Sequence, residues 1–340
     1  MPIDFSDPFL IAEISANHDK SFDQLSKLID IAHQAGWACV KLQTYSAESL
    51  CVKSTHPSTL IGKEWGSKTL YELYSKASMP MEFHAPAFEK IKELGMKPLT
   101  SIYDPRDLDF LEKLDCQAYK ISSFELTFHD LLKAVAETGK QIILSTGMAN
   151  VEEINISLEV IKAKNPKTKV VLMHCVSAYP APLEQLNLNA IKTLKETFKL
   201  EIGFSDHTIG SEAAIVAYTL GAKVIEKHIT NDVKRKGPDH RFSADLSVLK
   251  EISEGINMVK IMGGSGKKET KEVEKHNKSL GRRSAFATRK IQKGEKITKD
   301  NFRFVRPGVG IPANTERKIL GLKCNRDLEA GSPITWDDLE

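Results

Sequence analysis

The fold is decided by stretches such as residues 223–229, KVIEKHI, in which an apolar, β-branched run ends in a glutamate, a lysine and a histidine. Seven other short runs have the same design and lie at residues 9–15, 38–43, 97–101, 118–122, 141–145, 170–175 and 201–206. Almost every run is followed by a stretch with helical spacing. Eight strand–helix units with reactive side chains at the strand C-terminal ends predict a (β/α)₈ TIM-barrel enzyme.

Composition narrows the class of protein. The chain has 340 residues, a hydrophobic fraction of 41% and a net charge of only +3. A balance this close to neutral does not indicate a nucleic-acid or membrane partner. The five cysteines show no CxxC spacing, and the chain does not begin with a signal-peptide pattern. We therefore expect a cytoplasmic protein with reduced cysteines.

The pattern divides the chain into two domains. We expect the catalytic barrel at residues 1–265, a polar linker at 266–282 and a small β-rich domain at 283–340, where short strand-like pieces alternate with Gly and Asp turns. Residues 51–80 are longer than an ordinary βα loop, which indicates a lid or rim insertion over the site.

Two histidines follow the seventh and eighth runs. Because these strands are neighbours in a barrel, the imidazoles of His207 and His228 are candidates to bind one metal ion. Two nitrogens completed by water and substrate oxygens suit Mn²⁺ better than a closed tetrahedral Zn²⁺ site, and Mg²⁺ or Co²⁺ are the alternatives. The other interpretation is a pair of hydrogen-bonded barrel histidines.

Two lysines and two glutamates are the other notable residues at the strand ends. Lys41 and Lys120 would point into the barrel mouth, where a buried ammonium requires an anion. Glu13 and Glu226 would lie on neighbouring strands, since strand one closes against strand eight, and either could act as an acid or a base. An ion pair between these lysines and glutamates is the structural alternative, and the sequence does not decide which carboxylate is the base.

Six motifs in order resemble the sialic acid synthase family, whose members make N-acetylneuraminate, legionaminate and pseudaminate. They are AEISANH at 12–18, KLQT at 41–44, YKISSFE at 119–125, STGM at 145–148, SDHT at 205–208 and EKH at 226–228. The tail, with RRS at 282–284, KGE at 293–295 and RPG at 306–308, is similar to the family's antifreeze-protein-like (SAF) domain. The resemblance covers essentially the whole chain.

The resemblance implies a transferase that condenses phosphoenolpyruvate with an N-acetylated amino hexose, with C–O cleavage and release of phosphate. In the roles it implies, Glu13, Lys41, Lys120 and Glu226 are catalytic; the same lysines bind phosphoenolpyruvate with Ser101, Ser145, Ser177 and Ser205; and the sugar contacts Gln43, Glu125, Tyr179, Asp239 and Arg306. It also implies a domain-swapped homodimer, in which Arg306 reaches the site of the neighbouring subunit.

The identity of the sugar stays open between members of the family. Phe124 and Ser177 stand where neuraminate synthases tend to have Gly and Asn, and these residues slightly favour a pseudaminic acid synthase. The GPDH loop at 237–240 favours neuraminate and legionaminate synthases instead. Phe124 and Met148 would suit the apolar methyl group of a 6-deoxy sugar.

Three functions from other classes are the alternatives. They are a 3-deoxy sugar acid synthase that uses phosphorylated aldoses, a non-catalytic carbohydrate-binding barrel, and a metal-dependent hydrolase. The first would not need the C-terminal module, the second should have lost a site residue, and the third usually has a His-x-His pair on strand one.

Overall fold

Eight parallel strands close into a barrel in sequence order, and the first strand pairs with the eighth. The structure, a computed structural model, describes residues 4, 8–62 and 66–340. The barrel strands are β1 (Phe9–Glu13), β2 (Cys39–Thr44), β3 (Lys97–Ile102), β4 (Ala118–Ile121), β5 (Gln141–Ser145), β6 (Val170–Cys175), β7 (Glu201–Asp206) and β8 (Val224–His228). The predicted (β/α)₈ barrel is confirmed.

Helices fill the connections between these strands. They are α1 (Phe22–Gln34), α2 (Ala47–Leu50), α3 (Leu70–Ala77), α4 (His84–Glu93), α5 (Leu108–Lys113), α6 (His129–Glu137), α7 (Val151–Lys164), α8 (Ala190–Phe198), α9 (Glu212–Thr219) and α10 (Leu246–Gly263). The first of them shows how the sequence sets its bounds: the Ser21 hydroxyl accepts a hydrogen bond from the Gln24 amide, and Gly36 follows the helix with φ of +73°.

The alternation of side chains along each strand determines where the polar layer of the barrel lies. Side chains two residues apart point to the same side of a strand, so the barrel interior is filled in layers. A lower, apolar layer includes Ile11, Cys39, Ala118 and Val224. Two residues further along the same strands come Glu13, Lys41, Lys120 and Glu226. The apolar layer therefore closes the interior beneath a polar layer at the C-terminal ends of the strands.

The insertion after β2 contains α2 and α3. Residues 63–65, part of the GKEWG stretch within the predicted lid or rim, lie outside the described residues. The residues on both sides of that gap are described and contribute to the cavity discussed below. Among the helices that the structure describes, none combines the length and apolar composition that a bilayer span requires.

A second compact unit comprises Ser265–Glu340, and the first ends at Gly264. Strands β9 (Ser284–Ala287) and β10 (Phe302–Val305) form its antiparallel sheet, and its own apolar core includes Ile297 and Ile334. Part of the segment predicted as a linker is helical, because α11 (Lys275–Gly281) lies within it and belongs to this unit. Helix α12 (Glu316–Ile319) follows later.

Close packing of β7 against β8 predicts that adding a side chain at Gly203 destabilises the fold. A Cβ atom there would lie 2.6 Å from the Val224 carbonyl oxygen and 2.9 Å from the Val224 Cβ. Gly203→Ala should therefore lower the free energy of unfolding by about 1–3 kcal/mol. Urea unfolding followed by circular dichroism measures this change.

Gly263→Ala is the matched control, since a Cβ at Gly263 meets nothing within 4 Å. We expect it to change stability by less than about 0.5 kcal/mol. Equal effects of the two substitutions would contradict the packing assigned to Gly203.

Candidate active site

Two lysines and two glutamates form a buried charged cluster at the C-terminal end of the barrel. The Lys41 ammonium pairs closely with Glu13 and lies 3.5 Å from Glu226 Oε1, while Lys120 Nζ lies 3.7 Å from Glu226 Oε2. Each of these four side chains is at most about 4% exposed. We call Glu13, Lys41, Lys120 and Glu226 the charged floor.

Hydroxyl groups complete the charged floor. Lys41 Nζ donates to Ser101 Oγ at 2.9 Å, and Lys120 Nζ donates to Ser145 Oγ at 2.7 Å. Ser205 Oγ donates to Glu226 Oε1 at 3.1 Å. The three serines are buried and come from three different strands. Lys41 is thus held by Glu13, Glu226 and Ser101, whereas Lys120 has fewer partners and keeps donor capacity for the cavity that it lines.

Burial and neighbouring charges shift the pKa values of the Glu13 and Glu226 carboxyl groups in opposite directions. Burial raises the pKa of Glu13 more than Lys41 lowers it. Burial also acts to raise the pKa of Glu226, but Lys120 and Lys41 outweigh it, and the net pKa is lowered. Carboxyl groups whose pKa values are pushed in opposite directions are suited to different roles. The neighbouring lysines therefore favour the ionised form of Glu226 more strongly than that of Glu13.

The pKa values of Lys41 and Lys120 also shift in opposite directions. Burial lowers the pKa of both ammonium groups, but at Lys41 the attraction of Glu13 and Glu226 outweighs it and the pKa is raised. At Lys120 burial prevails and the pKa is lowered. Lys120 is therefore the ammonium that is less fully compensated by the protein, and an added anion would stabilise its charge most.

The two histidines lie beside the charged floor with ring centroids 5.4 Å apart. His207 Nδ1 lies 3.0 Å from the Val176 carbonyl oxygen, so this nitrogen donates and Nε2 keeps its lone pair. His228 Nδ1 is buried and has no hydrogen-bond partner among the described residues. Burial holds the pKa of His228 well below its usual range.

A divalent metal ion fits these two side chains. Neutral imidazoles with an available nitrogen are metal ligands, and the carbonyl partner of His207 is the outer contact that usually orients such a ligand. Among the described residues, no group of three or more His, Cys, Asp and Glu side chains is arranged to hold a metal. The ion would therefore depend on water and substrate oxygens for its remaining ligands, as the sequence predicts.

The predicted sugar-binding residues on the barrel surround the upper part of the same cavity. Gln43 Nε2 donates to Glu13 Oε1 at 3.0 Å, and the Ser15 hydroxyl donates to Asp239. The Tyr179 ring lies 4.4 Å from the His207 ring, between centroids. Glu125 lines the opposite side and accepts a hydrogen bond from Ser122. The barrel thus brings these distant sequence positions to one cavity of about 410 Å³.

One side of the cavity is apolar, and we call it the apolar wall. It contains Leu50, Ile61, Leu70, Leu73, Tyr74 and Phe124. Most of these residues belong to α2, α3 and the chain between them. Phe124 is 59% exposed and stands at the cavity edge. Among the described residues that line the cavity, two have a lysine or arginine side chain. Both are lysines, Lys41 and Lys120, and both belong to the charged floor.

Glu13 and Met148 do not line this cavity, and Arg306 belongs to the second unit. Glu13 is fully buried and lies behind Lys41, without lining the cavity. Met148 has φ of +65° and lines a second cavity with His174 instead, so the expectation that it contacts the sugar methyl group is wrong. Arg306 is exposed in the second unit, directly after β10. Its role stays a prediction.

Sequence reasoning missed several cavity residues. Ser15 and Tyr103 line the cavity and lie just beyond β1 and β3, so their positions after strand ends could have identified them. Cys175, the last residue of β6, also lines it. Leu73 and its neighbours on α3 carried no comparable signal, because their helical spacing resembles that of any amphipathic helix.

A barrel with this charged floor, paired histidines and a polar–apolar cavity has the features of an enzyme active site, with groups suited to a small anion beside a partly apolar molecule. Comparison with known proteins agrees. The chain matches the NeuB family over residues 28–268 and the SAF domain over residues 282–340. It therefore belongs to the NeuB family, and it is a synthase.

The relatives cover nearly the whole chain. Pseudaminic acid synthase of Helicobacter pylori is 36% identical over 98% of both chains. N,N'-diacetyllegionaminic acid synthase of Legionella pneumophila is 32% identical over 98% of this chain and 94% of the relative. The crystal structure of the spore coat polysaccharide biosynthesis protein spsE from Bacillus subtilis is similar with a TM-score of 0.66, at 33% identity over 98% of this chain and 95% of that one.

The position of Glu125 predicts a pH-dependent stability. Burial raises the pKa of this carboxyl from 4.5 to about 6. The folded state therefore loses stability as pH rises from about 4.5 to about 6, because ionisation costs more in the folded protein. Glu125→Gln removes this cost and should stabilise the protein by about 1–2 kcal/mol at pH 8. At pH 4 the difference should disappear.

Urea unfolding at the two pH values, monitored by tryptophan fluorescence, measures this difference. An equal effect of the substitution at pH 4 and pH 8 would show that the Glu125 carboxyl ionises in the folded protein as it does in the unfolded chain.

Proposed function

We propose that this synthase condenses phosphoenolpyruvate with an N-acetylated amino hexose to make a nonulosonic acid, with pseudaminic acid favoured as the product. The observation that carries the proposal is the charged floor, where two buried ammonium groups and three hydroxyls face a cavity with an apolar wall. N-acetylneuraminate and legionaminate are the alternative products.

Phosphoenolpyruvate suits the charged floor because it carries a carboxylate and a phosphate. Lys41 and Lys120 supply two cations that line the cavity, and Ser101, Ser145 and Ser205 are within hydrogen-bond distance of floor residues. Ser177 lines the cavity next to them. Buried charge-assisted hydrogen bonds to an anion are among the strongest that a protein makes, and this arrangement supplies several at once.

The reaction forms one carbon–carbon bond and breaks one carbon–oxygen bond. C3 of phosphoenolpyruvate attacks the aldehyde carbon of the open-chain sugar, and the aldehyde oxygen gains a proton to become a hydroxyl. Water adds to C2, and phosphate leaves together with the bridging oxygen. The acid and base needed for these proton transfers must lie at the floor, next to the reacting carbons.

We assign the base that takes the proton of the attacking water to Glu226. It lines the cavity, and Lys120 and Lys41 keep its pKa lowered, so it is ionised at neutral pH. Glu13 lies behind Lys41 and orients that ammonium. A divalent metal held by His207 and His228, with Mn²⁺ favoured, would polarise the aldehyde oxygen.

The apolar wall supports a deoxy sugar as the acceptor. Leu70, Leu73 and Phe124 would exclude water from a methyl group and offer no hydrogen-bond partner to a hydroxyl. The wall also disfavours a phosphorylated aldose, because none of its described residues is a cation that could meet a second phosphate. The higher identity to pseudaminic acid synthases than to a legionaminic acid synthase, 36% against 32%, points the same way.

The acceptor and the reaction can be tested together. Purified enzyme with Mn²⁺ and phosphoenolpyruvate is offered N-acetylmannosamine, the 2,4-diacetamido trideoxymannose or the corresponding trideoxyaltrose, and phosphate release is followed. We expect turnover with the trideoxyaltrose, which yields pseudaminic acid. Glu226→Gln should lower this turnover at least about 100-fold.

The matched control is Glu159→Gln, the same substitution at an exposed position of α7, which should leave turnover unchanged. Turnover with another of the three sugars would reassign the product within the family. Phosphate release with a phosphorylated aldose and with none of the three sugars would instead favour a 3-deoxy sugar acid synthase.

We further propose a homodimer in which Arg306 of one subunit completes the site of the other. Its guanidinium suits the carboxylate, hydroxyl and amide oxygens of the sugar. Co-expression of Glu226→Gln and Arg306→Ala chains tests this. Mixed dimers then contain one intact site, so activity should recover to about a quarter of the unmodified level.

Each variant expressed alone sets the baseline for this complementation. Activity of the co-expressed chains that equals the average of the two single variants would contradict a shared site.

A further inference from the structure

A second buried ion pair lies on the outer side of β7 and β8. Lys227 Nζ lies 2.7 Å from Asp206 Oδ2, and both side chains are at most 1% exposed. The two residues are register partners on adjacent strands. They face away from the barrel interior, so neither contacts the charged floor.

The Lys227 ammonium also holds the chain on the far side of His207. It donates to the Thr208 carbonyl oxygen at 2.6 Å and to Thr208 Oγ1 at 3.3 Å. The Thr208 amide in turn donates to Asp206 Oδ1 at 2.8 Å. All three protons of the ammonium are therefore used, and the residues immediately before and after His207 are bound to one another and to Lys227.

Lys227 is itself the residue before His228. One side chain thus connects the backbone that carries the first imidazole to the backbone that carries the second. A buried ion pair of this kind is weak evidence for stability, since apolar residues of similar volume often stabilise a fold as well or better. Apolar residues would not reproduce the hydrogen bonds that hold Asp206 and Thr208, the residues on either side of His207.

We infer that Lys227 is a positioning residue that, through Asp206 and Thr208, sets the separation of the His207 and His228 imidazoles for a divalent metal ion. The inference rests on the metal-binding role proposed for the two histidines. Outer contacts of metal ligands commonly affect metal affinity by 10–100-fold. The hydrogen bonds of Lys227 with Asp206 and Thr208 act on the backbone of both ligands at once.

The test compares Mn²⁺ affinity with phosphoenolpyruvate affinity in the full chain, both by calorimetry without the sugar. The variant is Asp206→Leu/Lys227→Met, which replaces the ion pair by apolar residues and leaves no charge uncompensated. We expect Mn²⁺ affinity to fall about tenfold or more, with phosphoenolpyruvate affinity little changed.

Lys140→Met is the matched control. Lys140 pairs with Glu112 at 2.7 Å just before β5, at the opposite end of the barrel from the histidines. This variant should bind Mn²⁺ like the unmodified chain. A parallel loss of both ligands and of melting temperature in the double variant would show a merely structural pair and overturn the inference.

Two other outcomes separate this inference from the proposed function. Unchanged Mn²⁺ affinity in the double variant would overturn the role of Lys227 and leave the metal site intact. Absence of Mn²⁺ binding by the unmodified chain, or unchanged affinity in His207→Ala, would overturn the metal site and the role of Lys227 with it. Phosphate release with the sugar acceptors reports on the condensation independently of both.

Discussion

The structure depends on one electrostatic constraint: two ammonium groups are buried inside the barrel and must be compensated there. An isolated buried charge costs several kcal/mol, so Lys41 and Lys120 require anionic and hydroxyl neighbours. Glu226 lies within 4 Å of both lysines, and Glu13 pairs with Lys41. Compensation is tighter at Lys41 than at Lys120. An anion from solution would therefore stabilise the Lys120 charge most, and this imbalance links the packing of the barrel to its proposed chemistry.

The barrel supplies this arrangement through strand alternation. An apolar layer closes the interior below the charged floor, and the same strands place polar side chains two residues further on. On the outer side of β7 and β8, Lys227 and Asp206 occupy the alternate positions and form a buried ion pair. Inner residues therefore line the cavity, and the outer pair holds the backbone between β7 and β8. The insertion with α2 and α3 adds the apolar wall, which the barrel itself does not provide.

The strands and the charged floor were predictable because each run ends in a polar side chain and barrel geometry brings all strand ends together. The ends of α1 were predictable from Ser21 and Gly36. The depth of each side chain in the barrel was not predictable, because Glu13 and Glu226 look equivalent in sequence and yet Glu226 lines the cavity while Glu13 does not. Met148 lines a second cavity, and its positive φ is a backbone conformation that no pattern in the STGM motif indicates. The apolar wall depends on tertiary contacts of α3, and its helical spacing alone does not distinguish a cavity from a core.

The most direct measurement is the calorimetric titration of phosphoenolpyruvate into the unmodified chain and into Lys120→Met. Methionine keeps the length of the side chain and removes the charge, and Glu226 keeps Lys41 as a partner. If the charged floor is the anion site, affinity should fall at least about tenfold, because a charge-assisted hydrogen bond is lost. Equal affinity in the two proteins would contradict the assignment of the charged floor to phosphoenolpyruvate and, with it, the proposed reaction.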